Sequence, residues 1–194
     1  MSLESFIALT LTKCGVEIVL LADRWLYLAC APLESRIAWT PTLDRLSFAH
    51  VSTTPDYIAV LDTATVSSKP KIVHMQMKNL PLDWKGYHAH GMDVVMSTVP
   101  GEKDIAWVYA VNHRPPEPAA EANKVGADSV VEIFKTKIGS NVLEHVRTVS
   151  DKLVVTPNDL VGRPDGKGFW VSNDHSVKVG LASIPPDIVG NPSD

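Results

Sequence analysis

Residues 93–112 read DVVMSTVPGEKDIAWVYAVN. Two runs rich in Val, Ile, Trp and Tyr, Asp93–Thr98 and Ile105–Asn112, flank Pro100-Gly101. Branched and aromatic residues suit a pleated, half-buried surface, and a Pro-Gly pair favours a turn. The stretch therefore predicts two strands joined by a turn. The same grammar continues in both directions. Toward the N-terminus lie Val16–Ala22, Trp25–Ala31, Tyr57–Asp62 and Lys71–Met77; toward the C-terminus lie Ser129–Thr136, Glu144–Val149, Lys152–Thr156, Gly168–Ser172 and Val177–Ala182. Turn chemistry recurs at Ile138-Gly139-Ser140, Arg163-Pro164-Asp165-Gly166 and Ile184-Pro185-Pro186. Many short strands at regular spacing predict an all-β sandwich, barrel or propeller. No long segment carries helical periodicity. The proline-rich Arg114–Asn123 reads as an exposed loop, and the tail from Pro185 carries no pattern of either kind.

The chain has 194 residues, enough for one domain with a sizeable core or two small ones. Its 18 basic and 22 acidic residues give a formal net charge of −4. That balance argues against nucleic acid as a partner, and no block of like charge marks a membrane-binding surface. The cysteines, Cys14 and Cys30, can form one disulfide but not a disulfide framework. There is no Asn-x-Ser/Thr acceptor, no basic region ahead of the apolar residues in 1–11, and no apolar run long enough to span a bilayer. The compartment is left open.

Three segments carry residues suited to chemistry: Tyr87–Asp93 (YHAHGMD), Val108–Pro115 (VYAVNHRP), and Thr156–Val161 (TPNDLV) followed by Phe169–His175 (FWVSNDH). His90 and His113 are imidazoles near strand ends, and imidazole is the commonest general base. Asn158-Asp159 offers the oxygen ligands that a hard cation such as Ca²⁺ prefers. Taken singly, each has an ordinary reading as a structural histidine or an Asx-turn.

In order, His90-Gly91-Met92, Val111-Asn112-His113, Ser129–Lys135 (SVVEIFK), Asn158-Asp159-Leu160 and Ser172-Asn173-Asp174-His175 resemble the motifs of the paraoxonase/arylesterase family. The resemblance covers residues 86–180 well and the first 85 loosely. It implies a six-bladed β-propeller with two calcium ions in its central tunnel, acting on esters, lactones or phosphotriesters. By that resemblance His90 is the base beside the attacking water and His113 its proton-relay partner. Asn158 ligates the catalytic calcium, while Asp159 and the Met92 carbonyl ligate the structural one. Where the family has an adjacent Glu-Asp pair, this chain has Val16-Glu17; Glu17 can stand in at the structural calcium and Val16 cannot ligate. The substrate implied is a small ester or lactone.

With propeller repeats of roughly 40–45 residues, 194 residues make roughly three to four blades. The expectation is a partial propeller over 1–184 with an irregular tail at 185–194, inactive if ligands from a second half are required. Incomplete closure leaves strand edges open to self-association. Two other readings stand beside it: a non-enzymatic propeller module for binding or scaffolding, and a zinc hydrolase using His88 and His90, although Met92-Asp93 departs from the metallo-β-lactamase pattern.

Overall fold

The structure, a computed structural model, describes residues 14, 16–51, 53–65 and 72–179. It is all-β, as the strand-and-turn pattern predicts, with thirteen strands among the described residues and short helical turns between them. Strands β1 (Glu17–Leu21), β2 (Trp25–Cys30), β5 (Tyr57–Asp62) and β6 (Ile72–His74) form an antiparallel sheet in that order. Strands β8 (Ala89–Met96), β9 (Ile105–Arg114), β10 (Asp128–Lys137) and β11 (Val142–Val149) form a second antiparallel meander, to which β7 (Gln76–Lys78) adds in parallel beside β11. Strands β12 (Pro157–Gly162) and β13 (Phe169–Asn173) make a two-stranded third sheet. The long connection from β2 to β5 carries helix α1 (Leu33–Ala38) and a ribbon of β3 (Trp39–Thr40) and β4 (Arg45–Leu46). The described sheets are separate and close no ring.

The alternation in β9 builds the core. Ala106, Val108 and Ala110 face the first sheet, packing with Tyr27, Ile58, Val60 and Phe134. Trp107, Tyr109 and Val111 face the opposite way, packing with Val131, Ile133, Val154 and Leu160. A period of two places successive side chains on opposite faces, so one strand serves two cores and the second sheet is sandwiched between the others. Gly162 is part of that contact. A Cβ there would overlap the Tyr109 ring, so glycine lets β12 lie on it, and Tyr109 Oη donates to the Arg163 carbonyl at 2.6 Å. The leading strand β8 lies against both β1 and β12.

Several boundaries differ from the sequence expectations. Lys71–Met77 is not one strand: within its described part, β6 and β7 belong to different sheets and the chain breaks at the buried Met75, whose N–H goes to the Ile58 carbonyl at 2.8 Å. Lys152–Thr156 is a loop. The Asn173 side chain accepts from the Val155 and Thr156 N–H groups and donates to the Leu153 carbonyl, replacing a strand ladder. Arg114–Asn123 is not wholly an exposed loop: β9 runs through Arg114, and Ala122 begins helix α2 (Ala122–Val125) and packs with Trp39 and Leu46. Residues 177–179 of the expected Val177–Ala182 strand are not extended in a sheet; Lys178 Nζ instead donates to the Ala127 carbonyl at 2.9 Å. The tail at 185–194 lies outside the described residues. Cys14 and Cys30 are joined as a disulfide. No helix among the described residues is long and apolar enough to cross a membrane.

Candidate active site

Two irregularities in strand pairing aim the site. In β8, Ala89 pairs with Asn112 but Met92 pairs with Ala110, so one extra residue is inserted around His90-Gly91. In β12, Pro157 pairs with Asn173 but Leu160 pairs with Val171, so another is inserted around Asn158-Asp159. A bulge bends its strand and re-aims a side chain that regular pleating would place elsewhere. Gly91 makes the two bulges compatible. A Cβ at Gly91 would overlap the Asn158 carbonyl oxygen and come within 2.8 Å of Asp159 Cα. Both obstacles are backbone, so β12 has to retreat to admit one. Gly91→Ala is expected to destabilise the fold by about 1–3 kcal/mol, the usual range for overpacking. It also parts His90 from Asn158, as a lowered urea midpoint and a changed His90 imidazole resonance will show.

The aligned side chains form one chain of hydrogen bonds. His113 Nδ1 meets Ser129 Oγ at 2.8 Å, His113 Nε2 meets His90 Nδ1 at 3.2 Å, and His90 Nε2 meets Asn158 Oδ1 at 3.1 Å. Asn158 Nδ2 donates to Asp174 Oδ1 at 2.7 Å. The polarity is assigned from the partners' chemistry. The Asp174 carboxylate only accepts, so it takes the amide N–H₂ and leaves Asn158 Oδ1, also only an acceptor, facing His90. His90 Nε2 therefore donates. The neutral ring then accepts at Nδ1 from His113 Nε2–H, and His113 Nδ1 accepts from the Ser129 hydroxyl.

Burial favours the neutral form of both imidazoles. His113 is held well below the usual histidine range, first by its complete burial and then by the neighbouring imidazoles of His90 and His88. His90 is lowered too, chiefly by burial, while the negative charge of Asp174 and the Asn158 hydrogen bond act the other way. A cavity of about 390 Å³ lies over this chain. His90, His113, Asn158 and Asp174 line it together with Trp39, Asp56, His88 and Val16. The α1–β4 segment covers one side. Trp39 Nε1 donates to the His113 carbonyl at 2.8 Å, and His175 Nε2 donates to the Thr42 carbonyl at 2.8 Å. Asn173, Asp174 and His175, singled out in the sequence without roles, thus respectively hold the 153–156 loop, orient the Asn158 amide and tie the cover down.

The residues expected at a structural calcium are arranged differently. Glu17 on β1 and Asp159 on β12 come from the two strands that pack on β8, the strand carrying Met92. The Glu17 carboxyl is pushed up, first by burial and further by the negative charge of Asp159, against a hydrogen bond from the Ile18 N–H. Two mutually repelling carboxylates are the donor chemistry that a hard divalent cation accepts. The cavity-facing Asn158 Oδ1 is engaged by His90, and Val16 brings an apolar side chain to the same cavity. Among the described residues no three His, Cys, Asp or Glu side chains gather as a metal-binding group. The zinc reading gains nothing here, since such a site needs about three protein ligands. His90 is engaged at both ring nitrogens, and His88, its pKa lowered to about 4 mainly by burial, bonds the Lys85 backbone.

Trp39 and Asp56 reach the site from a segment that carries no motif in the sequence, and Ser129, the first residue of the SVVEIFK segment, joins it in a role that the segment's sequence does not announce. A comparison with models of known protein families finds no match for this chain.

Proposed function

We propose that this chain is a calcium-dependent hydrolase of esters or lactones, of the paraoxonase/arylesterase type, whose three sheets are successive blades of an incomplete propeller. The observation that carries the reading is the continuous chain Ser129–His113–His90–Asn158–Asp174 on the wall of a substrate-sized cavity. Its members come from motifs resembling those of that family, in the family's order. The packing of the leading strand β8 against both β1 and β12, the leading strands of the other two sheets, supports the blade reading, because the first strands of propeller blades gather around a common axis.

A catalytic calcium held by Asn158 at the cavity would supply positive charge for the oxygen of the scissile group, and Glu17, Asp159 and the Met92 carbonyl would hold a second, structural ion. The protein's own residues manage the proton. In the polarity described above, His90 presents an N–H toward Asn158 and its lone pair toward His113. Accepting a proton from water at Nε2 requires the reverse polarity, with His90 Nδ1–H given to His113 Nε2 and His113 Nδ1–H given to Ser129 Oγ. A hydroxyl both donates and accepts, so Ser129 permits either direction. Drawing Asn158 Oδ1 away from His90 is the event that selects the reversed, basic form. Burial supports this use of His90, since it favours the neutral ring.

Hydrolysis of phenyl acetate and of a simple aliphatic lactone, measured with calcium and with a chelator, tests the reading. Activity is expected with calcium and not with chelator, and Asn158→Ala, which removes a ligand, is expected to lower kcat/KM by at least the roughly 10–100-fold that loss of a contact behind a ligand costs. Chelator-insensitive hydrolysis, or normal turnover by Asn158→Ala, overturns it. One observation favours a second reading, a non-enzymatic binding module: Val16 occupies a cavity position at which the resemblance calls for a carboxylate. A folded protein that binds an ester without turning it over supports that module.

A further inference from the structure

Asp56, just before β5, is a carboxyl group that the chain of imidazoles does not use. It lines the same cavity as His90 and His113. Its Oδ2 accepts the Ala89 N–H at 2.8 Å, which ties it to the residue preceding His90. It also lines a second open cleft of about 310 Å³ with Lys85, Gly86, Tyr87 and His88, so Asp56 and His88 form the partition between the two spaces. The charged and titratable groups around it are Arg36 from α1, Lys85, Tyr87 and His88 from the segment before β8, and Arg45, His90, His113 and Asp174 across the cavity.

We infer that Asp56 is the general acid of the reaction, a catalytic residue that delivers its proton to the departing alkoxide oxygen. The inference rests on the hydrolase reading above. The steps balance as follows. Water oxygen bonds to the carbonyl carbon while His90 takes one of the water's protons. The carbon–oxygen bond to the leaving group then breaks, and the Asp56 carboxyl proton passes to that oxygen, releasing an alcohol. Asp56 regains a proton from solvent through the second cleft, and His90 returns its own to solvent. The net change is ester plus water to acid plus alcohol. Burial favours the neutral carboxyl and raises its pKa to about 7, against the Ala89 hydrogen bond and the charge of Arg36. A carboxyl protonated near neutrality is suited to donate, as general acids work best with a pKa near the operating pH.

Asp56→Asn is the informative variant, because an amide oxygen still accepts the Ala89 N–H while the acidic proton is gone. Two substrates are compared on the full chain with calcium. 4-Nitrophenyl acetate releases a stable phenolate that needs no proton, whereas γ-butyrolactone releases a strongly basic alkoxide. The variant is expected to lose about 100-fold or more in kcat on the lactone, within the range of acid–base catalysis, and less than about threefold on the aryl ester. Equal losses on both substrates, the mark of a merely structural role, overturn the inference, and so does an unchanged rate on the lactone. If the variant does not fold, the wild-type chain still decides through aryl and alkyl acetates of graded leaving-group basicity. A shallow dependence of kcat/KM on basicity supports proton donation, and a steep one overturns it. Active wild type with an unaffected Asp56→Asn removes this inference alone, whereas wild type inactive on every ester and lactone removes the hydrolase reading with it.

Discussion

His90→Gln is expected to lower kcat for phenyl acetate by about 100- to 10,000-fold, the contribution of a positioned general base. Glutamine can still donate to Asn158 Oδ1, so the side-chain contact can persist while the ability to take a proton is lost. His113→Gln is expected to reduce kcat less, because His90 retains its ring and loses only its relay. An unimpaired His90→Gln, correctly folded by circular dichroism, sinks the assignment of the base. The pH profile provides a second reading of the same group. With His90 held below 6.5, mainly by burial, the base is neutral at pH 7 and the acidic limb of kcat/KM is expected below pH 6.5. Stability follows the same sign through His113. In the unfolded chain this ring takes up a proton near pH 6.5, whereas the folded ring resists until a much lower pH. Below pH 6.5 the unfolded state therefore binds more protons. Its contribution to stability is complete above that value and falls as the pH drops toward the folded pKa. Asp56, its carboxyl raised to about 7, acts in the opposite sense over the same range, so the test is made in Asp56→Asn, whose urea midpoint is expected to be lower at about pH 5.5 than at about pH 7.5.

The second large effect is structural. Glu132 is completely buried and accepts from Asn112 Nδ2 at 3.1 Å, His145 Nε2 at 3.0 Å and Thr148 Oγ1 at 2.6 Å. Asn112 extends the network: its Oδ1 accepts the His88 N–H at 2.9 Å and its Nδ2 also reaches the Gly86 carbonyl at 3.0 Å. Glu132→Ala takes the shared acceptor from the buried Asn112 and the half-buried His145 and Thr148 and opens a cavity at a fully buried position. A loss of about 3–5 kcal/mol is expected, the range for breaking a buried polar pair by removing one partner. That is a large share of the ~5–15 kcal/mol that stabilises a typical domain. Glu132→Gln keeps the shape and one acceptor oxygen and is expected to lose less. Denaturant unfolding of the two variants measures both, and equal stability of Glu132→Ala and wild type contradicts the network's role. Because Asn112 holds the backbone leading into β8, the damage is also expected to reach the geometry of His90.

The strands themselves were legible. Tyr57–Asp62 coincides with β5, and Ile105–Asn112 lies within β9, because a period-two pattern of branched and aromatic residues is a local property of the chain. Local reading failed where a distant side chain satisfied the backbone. Lys152–Thr156 has strand composition, yet Asn173 supplies its hydrogen bonds and no ladder forms. It also failed at Lys71–Met77, where two adjacent triplets join different sheets.

The same division holds at the candidate site. The amino-acid order alone determined an all-β chain, with His90, His113 and Asn158 as its residues of chemical interest and Gly91 beside the first of them. Only the folded arrangement decided that these side chains join Ser129 and Asp174 in one directed line, that Asp56 shares their cavity, and that both bulges face each other across Gly91. A side chain's type and spacing are written in the neighbouring residues, whereas a bulge, an amide's orientation and a buried ring's protonation depend on groups some seventy positions away, as between His90 and Asn158, brought into contact when the sheets pack.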